Sequence, residues 1–99
     1  MGIESNPEWD RARLKDKERA WAKFKIVRAL ILFRLEQKEK GYSYAESGAN
    51  FVIKLRNGEV CQEETNKLKV RDIPLATLTR WLGTMRASGD MESPVSLLE

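Results

Sequence analysis

The sequence predicts an all-α fold, a small bundle of several helices. Apolar residues recur every three or four positions in three long stretches, near residues 17–40, 43–56 and 73–88. Residues that typically begin or end helices bound these stretches, among them Gly41, Ser43 and Gly89. A chain of 99 residues corresponds to one ordinary domain.

Charge is unevenly distributed along the chain. Lys and Arg exceed Asp and Glu by three overall. Residues 11–40 contain eleven basic residues and four acidic ones, whereas residues 90–99 contain no basic residue. The first half of the chain therefore holds the surplus that would attract an anionic partner.

The composition excludes several classes of protein. With no His and a single Cys, Cys61, the chain cannot build a classical zinc site or an internal disulfide. Residues 1–6 lack a secretory signal, and the longest apolar run, residues 29–33, is too short to span a bilayer. These features predict a cytoplasmic protein with no membrane partner and no metal site.

The usual catalytic arrangements are also missing. A Ser or Cys nucleophile would have no imidazole base, and no glycine-rich phosphate loop occurs. Cys61 is interpreted as a half-buried small residue rather than a reactive thiol. We therefore expect no catalytic residue and no cofactor in these 99 residues.

Two helices are expected before Gly41. Asn6 and Pro7 begin a short one that carries Trp9, and Asp16 would cap a long one over residues 17–40. The long helix is apolar on several sides between residues 26 and 33, which is typical of a central helix. We expect Trp9 and Trp21 to lie in the core. The first half of the long helix carries four basic residues, which form either a solvated face or a phosphate-binding face: Arg19, Lys23, Lys25 and Arg28.

A third helix is predicted over residues 43–56. Ser43 and Glu46 form a capping box at its start, and residues 57–58 end it. Gly48 would permit close approach of another helix. The residues expected to face inward are Ala45, Ala49, Val52, Ile53 and Leu55.

The sequence of residues 59–72 is compatible with a loop, a small β-hairpin or an irregular helical turn. Lys67, Lys69 and Arg71 alternate with Leu68 and Val70, which fits an extended segment with one basic side. Asp72 could cap the helix that follows.

The helix beginning near residue 73 has two contrasting faces. Leu75, Leu78, Leu82 and Met85 form an apolar face, with Trp81 partly buried at its edge. The opposite face carries Ala76, Thr77, Arg80 and Thr84. Threonine contacts base edges or thymine methyl groups, and arginine prefers guanine. This helix is either the recognition helix of a helix-turn-helix or an ordinary amphipathic surface helix.

A DNA-binding interpretation gives roles to nine residues. Arg80 and Arg86 are the leading contacts, followed by Thr77, Thr84 and Ala76. Ser43 and Tyr44 open the preceding helix, where backbone amides often meet phosphate. Lys69 and Arg71 would form a basic arm. The expected partner is double-stranded DNA.

The order of these features resembles the N-terminal end-binding subdomain of phage Mu-type transposases, across residues 9–86. The matching features are an early Trp9, Ala20-Trp21 and residues 27–30 in a long helix, a Gly-x-Ser turn at residues 41–43, an Ala-rich helix with Phe51-Val52, and a Thr-Leu-x-Arg-Trp segment at residues 77–81. Two departures stand out. The join over residues 57–73 is long, and Pro74 stands where the family has a capping Ser.

The resemblance implies recognition of the ends of a mobile element during DNA transposition, integration and recombination. Strand transfer would belong to a separate carboxylate-based domain, and a full-length protein would self-associate. Residues 1–5 would be a flexible N-terminus, residues 6–88 the helical DNA-binding domain, and residues 89–99 a linker or disordered tail. The alternatives are a stand-alone phage or prophage helix-turn-helix regulator and a helical protein-interaction bundle that uses residues 26–33.

Overall fold

The computed structural model describes residues 7–98, which form five α-helices and one 3-10 turn. The helices are α1 (Pro7–Arg11), α2 (Leu14–Glu39), α3 (Tyr44–Arg56), α4 (Gln62–Leu68) and α5 (Leu75–Ser88), and the 3-10 turn is Val95–Leu97. No strand occurs in these residues, so the predicted all-α bundle is confirmed. The expected cap at Asn6 and the flexible residues 1–5 lie outside the described residues.

Helix α2 is the centre of the bundle, as its apolar faces predicted. Its fully buried residues Ile26, Val27 and Leu30 face two separate cores. The first core joins α2 to α3, α4 and the start of α5: Ala22, Ile26, Leu30, Phe51, Leu55, Leu68, Ile73 and Leu78. The second core joins α2 to α1, the end of α5 and the C-terminal turn: Trp9, Ala20, Phe24, Val27, Leu82, Met85 and Leu97. Each fully buried aliphatic side chain contributes about 1.5–3 kcal/mol of burial free energy.

Helix α1 is held to α2 by aromatic packing. Trp9 is 8% exposed, and its ring meets the Trp21 ring edge-on at 6.3 Å between centroids. Trp9 is therefore a core residue, as expected, while Trp21 is only partly buried.

The expected cap of the long helix is wrong. Helix α2 begins at Leu14 after an extended Arg13 that gives no side-chain hydrogen bond, and Asp16 lies in the first turn. Leu14 is 72% exposed, so no buried apolar residue marks this boundary.

Helix α3 has the predicted ends but a different inward face. The Ser43 hydroxyl accepts from the Glu46 N–H at 3.1 Å, and the Ser43 N–H donates to Glu46 Oε1 at 3.1 Å, so the capping box is confirmed. The buried residues are Ser47, Gly48, Phe51 and Leu55. The expectation that Ala45, Ala49 and Ile53 face inward is wrong, because all three are exposed.

Phe51 sets this inward face, because it supplies the largest apolar surface of α3 and is 1% exposed. Ser47 can be buried beside it because its hydroxyl donates to the Ser43 carbonyl at 2.8 Å. Gly48 allows close packing, as expected: a Cβ there would lie 2.8 Å from Arg34 Nη2 and 3.0 Å from the Leu75 methyl groups.

The join before α5 contains a short helix, so the hairpin-like and extended interpretations of residues 59–72 are wrong. Thr65 and Leu68 of α4 are buried against α2. Cys61 and Lys69 flank α4 with left-handed φ values of 51° and 59°. A seven-residue helix has little stability of its own, so packing on α2 holds it in place.

Residues 89–98 are packed, and the expected linker or disordered tail is wrong for this segment. Gly89 ends α5 with φ 76°, and the Asp90 carboxylate accepts hydrogen bonds from the Glu92 N–H at 3.0 Å and the Ser93 hydroxyl at 2.6 Å. This turn returns the chain to the bundle, where Leu97 is 5% exposed in the second core.

Candidate nucleic-acid interface

Helix α5 is fixed to the bundle through its apolar face, as predicted. Leu78, Leu82 and Met85 are buried, and Leu75 is partly buried. The residue before the helix is Pro74 in extended conformation, and no side chain caps the helix. The expected Asp72 cap is therefore wrong.

The outward face of α5 carries the predicted polar residues. Ala76, Arg80 and Thr84 are exposed, and Thr77 is partly buried. The Thr84 hydroxyl donates to the Arg80 carbonyl at 3.0 Å, which leaves its oxygen lone pairs available as acceptors. Residues 73–89 contain no acidic side chain, so this face has a positive charge.

Gly83 lies on the same side of α5, and no close packing against the described chain requires a glycine there. A Cβ built there would meet nothing within 4 Å. Glycine inside a helix is less favourable than alanine by about 1 kcal/mol. With Ala76 and Ala87, Gly83 gives a surface on which an external molecule can approach the helix backbone closely.

Ser43, Tyr44 and Arg86 meet at a second place, a cavity beside α5. The cavity has a volume of about 470 Å³, and Arg34 and Lys38 of α2 also line it. Arg86 lies about 120° around α5 from Arg80, at 100° per residue. The two leading arginines therefore point to different sides of the helix.

The start of α3 is less open to phosphate than the sequence suggested. The capping box uses the Ser43 and Glu46 N–H groups, and it brings the Glu46 carboxylate to this helix end. Hydrogen bonds from the backbone and the hydroxyl of Ser43 lower the pKa of Glu46. Glu46 therefore stays negatively charged, and the Tyr44 side chain is the group at this helix end that could reach an anion.

Lys69 and Arg71 occupy a third place, between α4 and α5. Lys69 ends α4 in left-handed conformation, and both side chains are exposed. The Arg71 guanidinium extends over Gly58, with Nη1 3.3 Å from the position that a Cβ would take. These two cations border the connection to α5 and do not line the cavity.

Most of the basic residues in the first half of α2 make contacts within the bundle. Arg19 Nη1 donates to the Leu68 carbonyl at 3.5 Å, and Lys23 is 4% exposed with Nζ 5.6 Å from the centroid of the partly buried Trp81 ring. Arg28 lies over the Phe24 ring at 5.8 Å. Three of the four cations therefore have structural contacts within the bundle.

Sequence reasoning missed Arg34 as a candidate site residue. Arg34 and Lys38 are four positions apart, so they occupy one side of α2 beside Arg86. The available signal was that spacing, in a helix whose apolar residues Ile31 and Leu35 share the same side.

Cys61 is a free cysteine whose side chain is partly buried. Burial, and secondarily the charge of Glu64, raise the pKa of the Cys61 thiol to about 11. The thiol is therefore protonated at neutral pH and is a poor nucleophile.

Within residues 7–98, no group of three Cys, Asp or Glu side chains is placed to hold a metal ion. None of the described helices has the length and apolar character needed to cross a membrane.

Comparison of the chain with protein-family models, with curated proteins and with solved structures found no match.

Proposed function

We propose that this domain binds double-stranded DNA sequence-specifically, with α5 in the major groove. The observation that carries the proposal is the outward face of α5, which combines exposed Arg80 and Thr84 with small residues and has no carboxylate. Arg80 would donate two hydrogen bonds to guanine, and Thr77 and Thr84 would contact base edges. Ala76 would meet a thymine methyl group.

Phosphate contacts would come from the cations on either side of α5. Arg86 lies on one flank, and Lys69 and Arg71 precede the helix. Each phosphate that such a residue neutralises adds about 0.9 to the slope of log affinity against log salt concentration. The Tyr44 hydroxyl would add a neutral phosphate contact.

The biological context of the proposal comes from the resemblance to phage Mu-type transposases. The domain would recognise the ends of a mobile element in the cytoplasm and would itself be a binding domain, not an enzyme. Strand transfer would lie in another domain of a longer, self-associating protein. A stand-alone phage regulator would use the same face of α5, and the gene distinguishes the two: a downstream RNase H-like frame favours the transposase.

An interaction bundle without a DNA role has one supporting observation. Ile26 and Leu30, which motivated this alternative, are buried in the first core. Leu32 of α2 remains 56% exposed. If a second copy covers this surface, sedimentation should detect a dimer that Leu32→Ser dissociates. A dimer with no DNA affinity would favour this alternative.

The test of the DNA proposal is selection from a random duplex pool, followed by titration of the selected and unselected duplexes at about 50 and 200 mM salt. We expect the selected duplex to bind at least about 10³-fold more tightly. The affinity should fall with salt with a log–log slope of about −1.8 or steeper, corresponding to two or more phosphate contacts. Equal affinity for both duplexes, or an affinity independent of salt, would contradict the proposal.

A further inference from the structure

The cavity beside α5 has an apolar interior that is open to solvent. It lies between the second half of α2, the start of α3 and α5, and its volume of about 470 Å³ is typical of small-ligand sites. Ile31, Leu35 and Leu82 supply its apolar lining. Leu35 is 59% exposed and Tyr44 is 62% exposed, so part of this apolar surface lies in water. A ligand with a hydrocarbon body would cover it.

The cavity is also cationic. Arg34, Lys38 and Arg86 line it, and none of its lining residues is a carboxylate. Within residues 7–98, no Asp or Glu forms an ion pair with any of the three. Three cations around one cavity, none of them in an ion pair with a described residue, are complementary to an anion.

Arg34 is held in place without its hydrogen bonds being satisfied. Its guanidinium lies 3.6 Å from the Tyr44 ring centroid, and Gly48 provides the space for Nη2. The Nε atom is buried with no acceptor, and no described residue accepts a hydrogen bond from the guanidinium. The rest of the guanidinium, which lines the cavity, is therefore available to an anionic ligand.

We propose that this cavity binds an amphipathic organic anion, a molecule with a hydrocarbon body and a carboxylate or phosphate head. The head would lie between Arg34, Lys38 and Arg86, and the hydrocarbon would lie on Leu35, Ile31 and Leu82. A bare inorganic anion would leave the apolar lining in water. An uncharged hydrocarbon would leave the three cations without a counter-charge. This site does not depend on the proposed DNA-binding function, because it rests on the cavity alone.

The test is a titration of the isotope-labelled protein with decanoate, followed by nuclear magnetic resonance. Three control ligands accompany decanoate. 1-Decanol has the same chain without the charge, and acetate has the carboxylate without the chain. Decyl phosphate has the same chain with a phosphate head. We expect decanoate to shift the methyl signals of Leu35 and Leu82 and the ring signals of Tyr44. It should bind at least about tenfold more tightly than decanol or acetate, a difference of about 1.4 kcal/mol.

Two variants of cavity residues and one matched control distinguish a loss of ligand binding caused by the missing charge from one caused by a disturbed fold. Arg34→Gln and Lys38→Gln should each weaken decanoate binding by about tenfold while leaving decanol binding within about twofold. Arg56→Gln removes the same charge from an exposed residue at the far end of α3 and should leave both affinities unchanged. Circular dichroism identifies any variant that does not fold, in which case the other pocket variant decides.

Several outcomes would overturn the proposal. These are no shift of the Leu35 or Leu82 signals at millimolar decanoate, decanol binding as tightly as decanoate, or Arg34→Gln and Lys38→Gln binding decanoate as the control does. Shifts produced by duplex DNA or by anionic lipid vesicles, but not by monomeric decanoate, would also contradict a small-ligand site.

Discussion

The guanidinium of Arg34 lies 3.6 Å from the centroid of the Tyr44 ring. This cation–π contact joins the second half of α2 to the first residue of α3. Because Arg34 occupies one face of the ring, we assign the proposed DNA contact of Tyr44 to its hydroxyl. The ring and the hydroxyl are therefore expected to have separable roles.

Two substitutions of Tyr44 should separate these roles. Tyr44→Ala removes the ring, and we expect the free energy of unfolding to fall by about 0.5–1 kcal/mol, the range for exposed cation–π contacts. Tyr44→Phe keeps the ring and should unfold as the wild type does, but it should bind selected DNA more weakly if the hydroxyl contacts phosphate. Urea unfolding and DNA titration measure the two effects. Equal stability of the Ala and Phe variants would contradict a stabilising ring contact.

The glycines inside α3 and α5 should respond differently to the same substitution. Gly83→Ala adds a methyl group in open space, so we expect it to stabilise the fold by about 1 kcal/mol. At Gly48 the new methyl group would press on Arg34 and Leu75, which must move. Gly48→Ala should therefore be at least about 1 kcal/mol less stable than Gly83→Ala in urea unfolding.

The DNA affinity of Gly83→Ala tests whether a partner approaches α5 closely. We expect a loss of about tenfold in spite of the gain in stability, because the methyl group would stand between the helix and the base edges. Unchanged affinity would show that DNA does not approach α5 at Gly83.

Acid should destabilise the fold through Glu46 and Asp90. Hydrogen bonds from Ser43 lower the pKa of Glu46, and hydrogen bonds from Ser93 and Glu92 lower the pKa of Asp90. A carboxyl group with a lowered pKa in the folded state stabilises fully above its unfolded pKa. That contribution is lost as pH falls through the folded value. The Tm should therefore begin to fall near pH 4.5, the ordinary value for Glu46, and continue to fall below pH 3.8, the ordinary value for Asp90.

Glu46→Gln and Asp90→Asn should each make the dependence of Tm on pH shallower in this acid range. Glu36→Gln is the control, because Glu36 is exposed and has no hydrogen bond or ion pair in the described chain. A slope that changes with Glu36→Gln as much as with Glu46→Gln would contradict the assignment.

The C-terminal turn should be part of the cooperative fold. Leu97→Ala removes a side chain that is 5% exposed, and we expect a loss of about 2 kcal/mol in urea unfolding, at the low end for buried leucine. Leu14→Ala is the matched control, since Leu14 is 72% exposed and should change the stability by less than about 0.5 kcal/mol. If both variants unfold alike, the turn does not belong to the core.

Sequence reasoning predicted the elements whose signals are local. The Ser43 and Glu46 pair marks a helix start by the hydrogen bonds it makes within four residues, and the spacing of Leu78, Leu82 and Met85 identifies the buried face of α5. Both are properties of a single helix, so they can be recognised without knowing its neighbours.

The errors concern residues whose structure depends on tertiary contacts. Helix α4 buries only Thr65 and Leu68, too few apolar residues to show a period, and it exists because α2 lies beneath it. Leu97 belongs to a turn of three residues, too short for a pattern. In the candidate site, the position of Arg34 depends on Tyr44 and Gly48 of another helix, which spacing within α2 does not reveal.

The most direct test of the central claim is the affinity of Arg80→Ala for the selected duplex, beside Arg56→Ala. Both variants remove an exposed arginine of a helix, and only Arg80 lies on the outward face of α5. We predict that Arg80→Ala loses about 1–3 kcal/mol of binding free energy and discriminates less at one base pair, while Arg56→Ala binds as the wild type does. Equal affinities of Arg80→Ala and the wild type at every position of the duplex would contradict α5 as the recognition helix.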